Sequence, residues 1–274
     1  MTATTATAGT AAAPATAPPL VTRPARPPRA AVAAGQVALR ALRKYLRTPG
    51  LFVMGMVQSA LFLFSFRYVF GGAVRVGSQS YVDYLIPGYV ATVVLFTGGG
   101  IAVAVAQDRA EGFTDRLLSL PVPRSSLVAG RTIADFITNA WSIVFTAAVG
   151  FGFGFRLGGS VLDGLAALGL CVAYGLVFTV VFMVIGLFAP NPQAAQGMSM
   201  IAFVLAFLSS TYVPATSMPG WLQPFSRYQP VSPMVDAVRS VLAGSNQDVG
   251  LALVWSAVLL AVFTPLAIWR YRRA

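Results

Sequence analysis

Apolar residues in this chain do not alternate with polar ones; they gather into long runs. A helix that crosses a bilayer needs about 20 apolar residues at about 1.5 Å of rise each. Runs of that kind fall at about 51–70, 85–106, 132–155, 164–188, 197–213 and 249–269, the fifth being short. The segments outside them carry most of the Arg, Pro and Asp. This pattern predicts an all-α integral membrane protein with six transmembrane helices.

Two further elements sit beside the spans. Over residues 36–48, Leu39, Leu42 and Leu46 share one helical face, and Arg40, Arg43, Lys44 and Arg47 share the opposite one. Such a helix lies along a membrane surface, and Thr48-Pro49-Gly50 breaks it before the first span. Residues 214–248 hold Pro214, Pro219, Pro224, Pro230 and Pro233 with Trp221, Phe225 and Tyr228. Prolines and interfacial aromatics together predict short broken helices near headgroup depth. Ser232 as N-cap, Pro233 at the first helical position and Gly244 past the end would frame one of them.

Composition agrees with lipid as the main solvent: 57% of the 274 residues are hydrophobic and only 10% are charged. A soluble domain is about 25% charged. Residues 1–34 are Ala-, Thr- and Pro-rich, with Arg23, Arg26 and Arg29 and no apolar signal-peptide core. They read as a disordered cytoplasmic tail, which leaves 35–274 as one membrane domain.

The net charge of +11 is explained by topology. Fourteen of the nineteen basic residues fall in the N-terminal segment, the 107–131 loop and the C-terminal end. Six spans put these three regions on one side, and basic residues mark the cytoplasmic side. Both termini are therefore expected in the cytoplasm, and no nucleic-acid partner is needed. All basic residues but Lys44 are Arg, a codon bias that fits a high-GC bacterial genome and hence a bacterial inner membrane.

The chain has no His, which removes imidazole metal ligands and Ser-His or Cys-His catalysis. The one cysteine, Cys171, lies in an apolar run as a packing residue. No P-loop pattern occurs, so the chain is not expected to bind nucleotide itself. An ion-coupled secondary transporter would want mid-span carboxylates, and the apolar runs carry none at their centres. Asp135 falls near the inner end of the third run, where water is close. A polytopic membrane enzyme would want clustered acid–base groups, for which there is little material.

The loop 107–131 is the most charged stretch within the membrane domain. Asp108, Glu111 and Asp115 would share a helical stripe, Leu117 and Leu118 offer apolar contact, and Pro121 and Pro123 stop the helix. Spacing alone leaves two readings open: a rigid projecting helix, or an ordinary solvated loop.

These residues also carry a resemblance. E-G-x-x-D-R-L-L-S-L-P-V from Glu111 to Val122, G-R-x-x-A-D from Gly130 to Asp135, M-P-G-W-L-Q-P-F from Met218 to Phe225 and Q-P-V-S-P from Gln229 to Pro233 resemble type-2 ABC transporter permeases. The match is strongest with the daunorubicin/doxorubicin-resistance type of bacterial exporter subunits. The resemblance implies a coupling helix contacting a separate ATPase through Glu111, Asp115, Arg116, Leu117, Leu118 and Pro121. It also implies an outer re-entrant hairpin that includes Pro219, Trp221, Pro230, Pro233 and Arg239. The expected partners are two ATPase copies, which bind ATP and Mg, and a second permease chain, identical or related. The expected cargo is hydrophobic or amphipathic, drug-like or lipid-linked. Phe62, Phe66, Phe203 and Phe207, on the first and fifth spans, are candidates to line its path.

Overall fold

The computed structural model describes residues 49–70, 80–112, 124–245 and 247–273, with isolated positions between 32 and 43. Every regular element among them is helical. In chain order they are α1 (Pro49–Ser65, continued by a π-helical turn, Phe66–Phe70), α2 (Tyr81–Ala110), α3 (Arg124–Gly152), α4 (Val161–Phe188), α5 (Pro192–Phe207), a 3-10 turn (Ala215–Ser217), α6 (Gln223–Tyr228), α7 (Val231–Leu242) and α8 (Val249–Arg273).

Among the described residues, four helices are long and apolar enough to cross a membrane: Tyr81–Ala110, Gly130–Gly152, Val161–Phe188 and Val249–Arg270. They correspond to the second, third, fourth and sixth predicted spans. The first and fifth correspond to shorter apolar helices, Val53–Val69 and Pro192–Phe207.

Several helices start earlier than the apolar runs because polar caps precede them. Ser160 Oγ accepts from the Asp163 amide at 3.2 Å, and the Asp163 carboxylate accepts from the Ser160 amide at 2.8 Å. This reciprocal box starts α4 at Val161. Asn191 caps α5 through the Ala194 amide at 2.7 Å, with Pro192 at the first helical position. The Asn191-Pro192 turn is thus also a helix start.

The centre of the bundle is α2, whose apolar window is 72% buried against 17% for α8. Its most extensive partners are α4 and α5. Small residues set the α2–α4 approach: a Cβ at Gly98 would run into the Phe182 ring, and one at Gly186 into the Ala102 backbone. Close backbone contact of this kind drives helix association where lipid offers no hydrophobic push. Gly100, in the same Thr97–Gly100 run, faces open space, so only part of that run serves packing. One buried polar knot ties three helices. Thr97 Oγ1 donates to Asn139 Oδ1 at 2.6 Å, and Asn139 Nδ2 donates to Thr179 Oγ1 at 3.3 Å and the Gly175 carbonyl at 3.4 Å.

Candidate functional site

Three constellations lie along the bundle: an aromatic cluster, a polar clamp at one end and an ionic clamp at the other. The aromatic cluster arises from helical spacing. Phe62 and Phe66 are one turn apart and stack at 4.6 Å; Phe203 and Phe207 repeat the spacing on α5 at 4.8 Å. The helices meet where Phe62 lies 6.3 Å from Phe207. The structure therefore brings all four sequence candidates into one cluster. Three aromatics absent from the sequence-based set complete it. Tyr89 stacks on Phe62 at 4.9 Å, Phe96 lies 5.2 Å from Phe203, and Tyr212 lies 5.0 Å from Phe66 and 4.9 Å from Phe207. Tyr89 and Phe96 are seven residues apart on α2, a same-face spacing that signals the stripe. Beside the cluster, Met54, Val57, Gln58, Leu61, Phe62 and Ser65 form an open, mainly apolar groove along α1.

At one end of the bundle α5 stops at Phe207, and its final carbonyls need partners. Side chains supply them. Ser209 Oγ donates to the Ala206 carbonyl at 2.5 Å, and Gln229 Nε2 donates to the Leu205 carbonyl at 3.0 Å. Arg239 on α7 donates to the Ser210 carbonyl at 2.9 Å, the Thr211 carbonyl at 2.8 Å and the Tyr84 carbonyl at 3.0 Å. It also pairs with Asp236 at 3.1 Å. Gly88 makes room for it, since a Cβ there would sit 2.7 Å from Arg239 Nη2. Burial raises the Asp236 carboxyl pKa, while Arg239 and Ser210 pull it back.

The short helices over 214–248 fall where the prolines place them, with one correction. α7 begins at Val231 with Pro230 in the cap position, not at Ser232. The Ser232 hydroxyl instead accepts from the Ser210 amide at 3.0 Å, because the turn that follows α5 competes for it. Pro233 is buried in the first turn, Pro219 is exposed, and Trp221 is 80% exposed. Gly244 ends α7 as its position suggests. At φ +72° its amide reaches the Val241 carbonyl at 2.9 Å, and the Ser245 amide reaches Ser240 at 2.8 Å.

At the other end, Arg131 on α3 pairs with Asp108 on α2 and, through Nε at 2.8 Å, with Asp135. Asp135 is fully buried. This corrects the expectation of a hydrated carboxylate, since neighbouring helices cover a position that distance along α3 would leave near water. Arg109 donates to the Leu187 and Ala189 carbonyls, and Arg270 to Leu187 at 3.3 Å. Glu111, exposed, ends α2 and accepts from Gln107 at 2.9 Å. Gly112 then turns left-handed at φ +63°, just past the end of α2 at Ala110. Asp115, Arg116, Leu117, Leu118 and Pro121 lie outside the described residues, as do Arg40, Lys44 and Arg47. Arg43 is helical and exposed. Among the described residues no three of His, Cys, Asp and Glu gather closely enough to hold a metal ion.

Residues 34–243 match the ABC-2 type transporter family. The chain belongs to that family. It is 31% identical over 252 residues to a daunorubicin resistance ABC transporter permease protein of Streptomyces coeruleorubidus, covering 90% of this chain and 89% of the relative. It is 28% identical over 240 residues to a probable doxorubicin resistance ABC transporter permease protein of Mycobacterium tuberculosis, covering 86% of each. The ABC-2 chain is thus a multi-pass membrane subunit of an ABC transporter. Its relatives are named as permease proteins of ABC transporters.

Proposed function

We propose that this ABC-2 permease moves a hydrophobic or amphipathic cargo outward across a bacterial inner membrane, by alternating access driven by a separate ATPase. Two ATPase copies would bind ATP and Mg beneath two permease chains, identical or related, each crossing the membrane six times. With both termini cytoplasmic, the Arg131 end faces the ATPases and the Arg239 end faces outward. Residues 36–48 would then lie along the inner leaflet, and 214–248 would form a re-entrant outer hairpin.

ATPase closure would push on the 107–131 segment through Glu111, Asp115, Arg116, Leu117, Leu118 and Pro121. A rigid contact of this sort can shift packed helices as bodies. The single observation that carries the cargo class is the cluster of Phe62, Phe66, Phe203 and Phe207 with Tyr89, Phe96 and Tyr212. Phe62, Phe66, Phe96, Phe203 and Phe207 keep part of their π faces exposed, backed by buried Tyr89 and Tyr212, and the cluster itself holds no charged side chain, which suits aromatic, amphipathic molecules. The resistance names of the relatives point the same way.

The test is ATP-dependent uptake of fluorescent doxorubicin into inside-out vesicles carrying the chain with its ATPase. Uptake that requires both chains supports the reading. Uptake driven by an ion gradient without the ATPase would favour a secondary transporter instead.

A further inference from the structure

Arg131 uses two edges of one guanidinium on two helices. Nε holds Asp135 one turn along α3, and Nη1 holds Asp108 on α2. Asp135 has no solvent exposure, and the Arg131 side chain only 12%. The buried carboxylate therefore fixes the direction of the guanidinium and aims its other edge at Asp108. A lysine ammonium is a point charge without that fork and could not hold both carboxylates in this geometry.

The place of this clamp matters more than its strength. Asp108 is two residues from the end of α2, and Arg131 lies in the early turns of α3. They bracket the segment that joins the two helices. Deeper in the bundle, α2 and α3 are already held by Thr97 and Asn139 and by the fit of Ile86 against Gly150. Two helix ends that can slide past each other would absorb a push on the segment between them.

We propose that Arg131 is a positioning residue for energy coupling: with Asp135 orienting it and Asp108 receiving it, it makes the neighbouring ends of α2 and α3 move as one body. This rests on the reading of 107–131 as the ATPase contact.

Asp108→Asn tests it most cleanly, because Arg131 keeps its pairing with buried Asp135. The permease–ATPase complex is placed in nanodiscs with Cys171 replaced by Ala and an environment-sensitive dye on a cysteine at Ile133, an exposed position on α3. The readouts are ATPase co-purification, ATP hydrolysis and the dye signal change on trapping with ATP and vanadate. Asp108→Asn and Arg131→Lys should retain the ATPase and hydrolyse ATP. Their nucleotide-driven signal change should fall by roughly threefold to thirtyfold, and Asp108→Glu should restore most of it. A full signal change in assembled Asp108→Asn complex would overturn the proposal. So would an equal loss in Asp108→Glu, which would mark a purely structural site. If the unsubstituted chain binds no ATPase, the coupling reading itself fails, a result distinct from either.

Discussion

Arg239 lays its guanidinium 3.7 Å from the centre of the Tyr84 ring while donating to the carbonyl of the same residue. One side chain on α7 thereby grips the first turns of α2 by face and by backbone. The Tyr84 hydroxyl reaches the Ser210 carbonyl at 2.5 Å, so the unwound end of α5 is held from both sides.

Removing Arg239 leaves the Ser210 and Thr211 carbonyls without that donor in a largely buried site. Arg239→Ala should cost about 2–3 kcal/mol. Arg239→Lys should recover less than half, since one ammonium cannot serve three carbonyls and a ring face. Thermal unfolding in detergent, read by tryptophan fluorescence, checks both.

Glycine substitutions should separate by clearance. Gly186→Ala drives a methyl into the Ala102 backbone, which cannot yield as a side-chain tip can, and should destabilise by about 1–3 kcal/mol. Gly100→Ala meets open space and should be neutral or slightly stabilising. Equal effects in the same unfolding assay would contradict the packing described for α2 and α4.

The buried amide of Asn139 bonds across two helix interfaces. Hydrogen bonds inside membranes are individually modest, so Asn139→Leu should cost about 1 kcal/mol and leave assembly intact. A loss several times larger would mean that the knot organises the bundle.

Asp236 gives a pH signature. Burial holds its folded pKa above the ordinary 3.8. A carboxyl shifted up favours the folded state when protonated, and that contribution fades as pH rises through the folded value. Asp236→Asn copies the protonated form. The stability of wild type relative to Asp236→Asn should therefore rise as pH falls from about 7 toward about 4. A flat difference would contradict the upward shift of this carboxyl.

Much of this architecture was legible because lipid imposes a length and polarity that sequence displays directly. The runs at 85–106, 132–155, 164–188 and 249–269 mark four long helices; α2, α3 and α4 start before their runs, and α2, α3 and α8 end a few residues away from the ends of theirs. The cap of α4, Ser160 with Asp163, sits outside the apolar run and needs the capping pattern to be found. The Phe62–Phe66 and Phe203–Phe207 pairs were legible as one-turn spacings. Tyr212 was not, because it joins them only through the path of the chain after α5. Asp135 was misjudged for a related reason: sequence gives depth along a helix but not which neighbours cover its side. Its partner Arg131 is local, but the tie to Asp108 spans 23 positions and emerges only when α2 and α3 pack together.

On the proposed reading, this permease works through a separate ATPase docked on the 107–131 segment. The most direct measurement is co-purification of the chain with an ATPase encoded beside it, as wild type and with Glu111→Ala plus Asp115→Ala, in nanodiscs with ATP hydrolysis assayed. A stable, active wild-type complex is expected, with loss of binding or of permease-dependent hydrolysis in the double variant. A wild-type chain that binds no ATPase, or a double variant that binds and couples normally, would contradict it.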